Sequence, residues 1–327
     1  MRITIVAFEG CMTSAVYGQA DAFAIAAYIA GRRADPCWSR HDVRIATPAG
    51  VPVQGYGGHM IAPDCALAEA SDGVILIPPI FGDIEQTLVQ ERALVTWLAS
   101  RPARSTLLAS SCTGAFLLAE AGVLAGRRVT TNPAFSALFA KRYPALQLDL
   151  DARLIDDGAV ICAGATTSYL YLAIHVIDRL AGHDLAVATA KALSIDRNPD
   201  SQRPYVLFIA PRDHGDDKVL KLQGWIEAHH DKPIAIADMV EAAGMSVRNL
   251  NRRFAAATGL SPRQYLRRVR IEAAKRLLEG RSATLDRVAA AVGYGDTRAF
   301  VRSFAEVTGL SPGQYRRRFR EGLSSGA

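Results

Sequence analysis

Residues 105–121, STLLASSCTGAFLLAEA, pass from a short apolar run through Cys112-Thr113-Gly114 into a second apolar stretch of helical character. An apolar run without polar alternation is what a strand covered on both faces requires. A cysteine at a strand-to-helix turn is the position from which several hydrolase folds present a nucleophile, because a helix N-terminus stabilises a thiolate. The segment therefore predicts a strand, a tight turn and a helix, with the thiol at the turn.

The same alternation extends outward through roughly the first 195 residues. Strands are expected at 3–8, 42–46, 73–77, 105–109 and 159–163, and helices at 18–30, 84–100, 114–121, 133–142 and 168–180. This pattern predicts an α/β domain built on a doubly wound, mainly parallel sheet. Ligands of such sheets bind outside the carboxyl ends of the strands, near a topological switch point. The segments reaching that edge are 9–13, 79–83, 112–113, 132 and 164–167. They nominate Glu9, Gly82, Cys112, Thr113 and Asn132 as ligand-binding residues.

At 327 residues the chain exceeds a typical single core. Its texture changes after residue 194, where Pro, Asp and Arg mix, and no strand-like alternation follows residue 218. The expected organisation is an α/β domain at 1–196, a linker at 197–217 and a helical domain at 218–322. Charge divides along the same line. Residues 218–327 hold 20 basic and 10 acidic side chains, whereas residues 1–217 hold 18 and 22. A basic second part beside a mildly acidic first part points to a polyanionic partner for the second part alone.

No apolar run approaches the roughly 18–20 residues of a membrane span. The opening MRITIVAFEG reads as a first strand rather than a signal peptide. The cysteines, Cys11, Cys37, Cys65, Cys112 and Cys162, are odd in number and lack CxxC spacing. Neither a disulfide framework nor a metal site is expected, and the reducing cytoplasm fits best.

The second part contains itself twice. AAGMSVRNLNRRFAAATGLSPRQYLRRVR at 242–270 matches AAVGYGDTRAFVRSFAEVTGLSPGQYRRRFR at 290–320. Phe254, the run 258–262 and Gln264-Tyr265 recur 50 residues later. In each copy a short amphipathic helix (236–242; 285–291) meets a glycine. A second helix then starts at a good N-cap, Ser246 or Asp296. That is a helix–turn–helix, whose second helix fits a DNA major groove. Ser261-Pro262 and Ser311-Pro312 open one further helix each, the first expected to run to about 278. Early exposed positions of the recognition helices nominate Val247, Arg248, Asn249, Asn251 and Arg252, and Thr297, Arg298 and Arg302, as base-contacting residues. Arg can take guanine bidentately and Asn can take adenine. Leu250, Phe254, Tyr265, Phe300, Phe304 and Tyr315 read as core. Arg267, Arg268 and Arg316 to Arg318 are candidates for phosphates or for a solvated face.

The repeat resembles the DNA-binding domain of AraC/XylS-family transcription regulators, essentially throughout 218–322. The segment CTGAFLLAEAGVLAGRRVTTNP resembles the PfpI-like branch of the class I glutamine amidotransferase-like fold, which is flavodoxin-like. It matches in particular the GlxA-type regulators that join the two domains. GQADAFAIAA and the segment 162–193 extend the likeness. The resemblance implies a ligand-responsive, dimeric activator that binds promoter DNA and a small-molecule effector, with a nitrogen-containing metabolite suiting the uncharged rim. No cofactor is implied.

Catalytic relatives carry a histidine base after the elbow helix, where this chain has Asn132, and an acid near 13–15, where it has Thr13, Ser14 and Ala15. An amide cannot take and return a proton near neutral pH. A non-catalytic sensor is therefore expected. The rival is an amidase, hydratase or glyoxalase acting through Cys112.

Overall fold

The computed structural model describes the chain except for residues 34–37, 39–40, 103, 197–201, 209, 211, 213, 281–282 and 321–327, and the side chain of Arg320. Cys37, the first part of the predicted linker and the end of the predicted helical domain lie outside the described residues. The chain forms two compact units, Met1–Gln202 and Arg203–Ala327.

The first unit contains strands β1 (Arg2–Val6), β2 (Asp42–Thr47), β3 (Val53–Gln54), β4 (Met60–Ile61), β5 (Cys65–Ala66), β6 (Gly73–Ile77), β7 (Leu107–Ser111), β8 (Arg128–Val129), β9 (Gln147–Leu148), β10 (Leu154–Asp156) and β11 (Val160–Ala163). Its helices are α1 (Thr13–Arg32), α2 (Ile84–Gln90), α3 (Arg92–Ala99), α4 (Ala115–Glu120), α5 (Ser136–Arg142), α6 (Ser168–Ala181) and α7 (His183–Ala192). Seven strands form one sheet in the order β10-β11-β7-β6-β1-β2-β5. Every neighbouring pair is parallel except the edge pair β10–β11.

The chain winds from β1 to one side through β2 and β5, then returns to build β6, β7 and β11 on the other side. The switch point is therefore at β1–β6, and β7 lies next to it. All five residues of β6, GVILI, are buried, as a strand sandwiched between helix layers requires. On one face α1 packs against α6 and α7, and Phe23, Leu172 and Val176 are fully buried in the core.

Two sequence expectations need correction. The helix expected over 84–100 is two helices meeting at Glu91, a buried residue with φ −90° and ψ 28°. The helix expected from 133 opens with a 3-10 turn, Pro133–Phe135, before α5. The segment expected as linker also contributes to the second unit. Residues Arg203–Tyr205 form a 3-10 turn, and Phe208 and Ala210 pack on that unit's core. Lys275 holds this strap by donating to the Val206 carbonyl at 2.5 Å and pairing with Glu272 at 3.1 Å.

The second unit is helical: α8 (Asp217–His229), α9 (Ile236–Ala243), α10 (Val247–Thr258), α11 (Pro262–Glu279), α12 (Leu285–Ala291), α13 (Thr297–Thr308) and α14 (Pro312–Arg320). The repeated sequence produces repeated bonds. Thr258 and Thr308 donate to the carbonyls of Phe254 and Phe304 at 2.7 and 2.8 Å. Tyr265 and Tyr315 stack edge-on against Phe254 and Phe304, each at 5.3 Å, and donate to Glu227 and Glu279. Two apolar cores result. One is centred on Leu222, Leu250 and Phe254, and the other on Ile271, Phe300 and Phe304.

Asp216 caps α8 through the Val219 N–H and receives both prongs of the Arg253 guanidinium, at 2.8 and 2.7 Å. Arg253 and the N-cap bonds hold its carboxyl below the ordinary aspartate value of about 3.9. A carboxyl depressed by folding stabilises the native state above its unfolded pKa, and the contribution disappears as pH falls through the folded value. The urea midpoint of the helical unit should thus fall as pH drops below about 4. Arg253→Ala should lower the midpoint at neutral pH and flatten that acid dependence. Equal acid slopes in the two proteins would refute the coupling.

Candidate functional site

Strand β7 ends at Ser111, and Cys112 turns the chain with φ 56°, a left-handed conformation rarely adopted by a residue with a Cβ. A 3-10 turn, Cys112–Gly114, leads directly into α4. Gly114 makes the turn possible. A Cβ there would lie 2.6 Å from the Pro78 carbonyl oxygen and 2.8 Å from that of Ile77. The elbow is thereby pressed onto the carboxyl end of β6, beside the switch point.

Three of the predicted ligand residues meet at this elbow. Cys112 is 1 % exposed, and the Asn132 amide donates to its sulfur at 3.1 Å. Asn132 is placed by its own cap, with its carbonyl oxygen accepting from the Ala134 N–H at 3.0 Å. Thr113 donates to the Ile80 carbonyl at 2.7 Å and lies 3.9 Å from the Cys112 sulfur.

Glu9 and Gly82 are not brought to the sulfur. The Glu9 carboxylate accepts from the Gln54 N–H at 3.2 Å, which ties the loop after β1 to the β3–β4 hairpin. Gly82, at φ 100°, sits in the loop after β6. Backbone bonds between Met12 and Pro79, Gly10 and Phe81, and Cys11 and Tyr56 stitch these loops into one rim.

Sequence reading missed several supports of the site. Thr131 donates to the Cys112 carbonyl at 2.8 Å. Glu91 is buried, and desolvation raises its carboxyl above the ordinary range. Burial also pushes the Cys11 thiol up to about 12. The buried Gln202 amide donates to the carbonyls of Leu150 and Ala152 and to Thr130, bracing the segment that runs from β8 to Asn132. Buried Thr13 Oγ1, Ser111 Oγ and Ser168 Oγ have no protein hydrogen-bond partner. A lone glutamate or glutamine inside an amphipathic stretch carries no local signature of such roles.

The electrostatics of the elbow favour a neutral thiol. Burial raises the Cys112 pKa, and the Asn132 and Thr113 bonds offset this only in part. Among the described residues, those whose side chains bond to the Cys112 sulfur are Asn132 and Thr113. His175 instead pairs with Asp156 at 2.7 Å, which also holds Arg179. His41 stacks on Trp38, and His59 is exposed on the hairpin. An amide beside a buried thiol can bind and orient a polar ligand, but it cannot relay a proton.

In the second unit, Ser246 and Asp296 cap the two recognition helices, through Asn249 N–H and through Arg298 and Ala299 N–H respectively. Val247, Arg248, Asn251 and Arg252 are exposed at the start of α10, and Arg298 and Arg302 are exposed on α13. Asn249 is half-buried and accepts from Arg252 at 3.0 Å. Thr297 is half-buried and donates to Asp286 at 2.5 Å. Of the candidate phosphate residues, Arg268 is half-buried over Phe208, Arg316 donates to the Ala283 carbonyl, and Arg267 pairs with Glu306.

Comparison with known proteins follows this division. The model of the DJ-1/PfpI family matches residues 1–179, and a helix-turn-helix domain model matches residues 239–318. The HTH-type transcriptional regulator CdhR of Pseudomonas aeruginosa is 28% identical over 255 residues, 77% of this chain and 75% of that protein. GbdR of the same species, also an HTH-type transcriptional regulator, is 26% identical over 77% of this chain and 68% of its own. Drosophila melanogaster DJ-1beta superposes with a TM-score of 0.50 at 20% identity, covering 60% of this chain and 98% of that one. An AraC family transcriptional regulator from Pseudomonas putida superposes with a TM-score of 0.50 at 17% identity, covering 59% and 98%. These superpositions show a shared α/β fold. No described helix is long and apolar enough to cross a membrane.

Two outcomes check this site. Iodoacetamide labelling of Cys112 at neutral pH, followed by mass spectrometry, should run at least about tenfold slower in the folded protein than in urea. Fast labelling would indicate an activated thiolate. Gly114→Ala should cost about 1–3 kcal/mol through overpacking against the two carbonyls, read as a lowered Tm. An unchanged Tm would mean the elbow can move off β6.

Proposed function

The chain belongs to the DJ-1/PfpI family and carries an AraC-type helix-turn-helix domain, and on that premise we propose that it is a cytoplasmic, ligand-responsive transcription regulator. The carrying observation is the pair of capped recognition helices, each presenting two exposed arginines, in the part of the chain that holds the excess positive charge. Two such helices read two successive major-groove segments on one face of a duplex. Arg248 and Arg252 on one helix, and Arg298 and Arg302 on the other, contact bases or the flanking phosphates. Val247, Asn249, Asn251 and Thr297 complete the two contact surfaces. The regulators CdhR and GbdR support this reading by their similarity over three-quarters of the chain.

The first unit serves as sensor and as the means of homodimerisation. Its elbow offers the Asn132 amide, the Thr113 hydroxyl and the Cys112 thiol as the floor of an uncharged polar site, with Glu9 and Gly82 on the rim. A small metabolite bearing an amine or amide nitrogen suits those groups, and promoter activation follows when it binds one arrangement of the protein more tightly than another. The reading as a non-enzyme rests on Asn132 standing beside the thiol and on the raised Cys112 pKa. The intact elbow is the one feature that favours the rival thiol-dependent hydrolytic reading, and the labelling experiment above separates the two.

Binding of the full-length protein to a duplex selected from a random pool should weaken linearly in log–log form with salt. The expected slope is about −0.9 per neutralised phosphate. Arg298→Ala should lose about 1–3 kcal/mol at the selected sequence and relax preference at one base position. A salt-independent affinity, or full binding by Arg298→Ala, would overturn the assignment.

A further inference from the structure

The two helix–turn–helix units have separate apolar cores that share no residue, and the division falls on α11 between Leu266 and Ile271. Arg270 sits at this junction. Its Nε donates to the His230 carbonyl at 2.8 Å and its Nη2 to the Lys232 carbonyl at 2.7 Å. These carbonyls close the C-terminal end of α8, where helix carbonyls lack partners of their own. The same guanidinium lies 5.4 Å from the ring centre of Tyr294, in the turn between α12 and α13. Gly293, in that turn with φ 81°, lies against His230, the residue that follows α8. A Cβ there would be 2.5 Å from the His230 oxygen and 2.8 Å from Arg270 Nη2.

The bonds continue outward to both recognition helices. Tyr294 hydroxyl bonds Ser303 on α13 at 2.7 Å. At the other end of α8, Asp216 holds Arg253 on α10 through two bonds. A continuous path therefore runs from α10 through α8, Arg270 and Tyr294 to α13. The exposed Arg267–Glu306 pair also links α11 to α13, but exposed pairs contribute little.

From this geometry we infer that Arg270 is a positioning residue that sets the angle and separation of the two recognition helices, and hence the spacing of the two DNA half-sites. The inference rests on the DNA-binding reading above. A planar guanidinium can serve two carbonyls and stack on a ring at once, which a lysine ammonium cannot. Arg270 touches no base in this scheme, so its removal changes the tolerance for spacing rather than the reading of either half-site.

The test uses the full-length protein and the selected duplex, with base pairs inserted between the half-sites one at a time up to half a helical turn. Wild-type affinity should fall steeply away from one spacing. Arg270→Ala should lose about tenfold at that spacing, lose most of the spacing preference, and bind an isolated half-site within about twofold of wild type. Arg270→Lys should show the same change in smaller degree, and Glu306→Gln should keep the wild-type profile. Circular dichroism establishes folding. If Arg270→Ala has lost its helices, Arg270→Lys alone decides by the same criterion. A wild-type spacing profile in a folded Arg270 variant would overturn the clasp and leave the DNA-binding reading intact. Failure of the wild-type protein to bind any duplex would instead overturn that reading, and the clasp with it.

Discussion

Gly114 lies so close to the carbonyls of Ile77 and Pro78 that no side chain fits between them, and this contact forces the chain to turn at Cys112 through a left-handed conformation. The strain at Cys112 is offset by the bonds that the turn creates. Thr113 reaches the Ile80 carbonyl, Thr131 reaches the Cys112 carbonyl, and the Asn132 amide reaches the sulfur. One close approach thus gathers the ends of β6 and β7 and the segment after β8 that carries Asn132 at the switch point of the sheet. The chemistry available there then depends in part on residue 132. A histidine at 132 would supply a base, whereas an amide supplies only a donor and an acceptor.

The helical unit is organised by a different constraint. A duplicated sequence builds duplicated cores, each closed by a phenylalanine–tyrosine pair and a tyrosine–carboxylate bond. Apolar packing within each half orients one recognition helix but leaves the relation between the halves to α11 and the polar groups around it. Directional bonds suit this task, since apolar contacts tolerate sliding and a two-carbonyl, one-ring clasp does not. Stability and geometry are in this way carried by different interactions in the same small domain.

Much of the fold was legible because its signals are local. Strands β6 and β11 are continuous apolar runs, and the recognition helices begin at Ser246 and Asp296, the residues whose side chains cap them. What escaped was short or depended on distant partners. Strands β3, β4, β8 and β9 have two residues each, too few for any period to register. The break at Glu91, a buried carboxylate between α2 and α3, has no turn residue to announce it. At the elbow, Cys112, Thr113 and Asn132 could be nominated from a motif, but Thr131 and Gln202 could not. Their roles consist of reaching a particular backbone atom that only the folded chain brings near.

The sequence by itself determined the division into an α/β part and a duplicated helical part, the placement of positive charge, the elbow, and the absence of a histidine at 132. Each of these follows from composition, periodicity or residue identity over a few neighbouring positions. Tertiary structure alone decided that the Asn132 amide points at the sulfur, that Glu9 serves the hairpin, and that Asn249 and Thr297 are partly engaged within their own domain. It alone joined Arg270 to α8 and to the second turn. The physical reason is range: propensity and capping act within a helical turn, whereas the bonds of Asn132, Glu9 and Arg270 join residues 20 to 45 positions apart and form only when packing has brought both ends together.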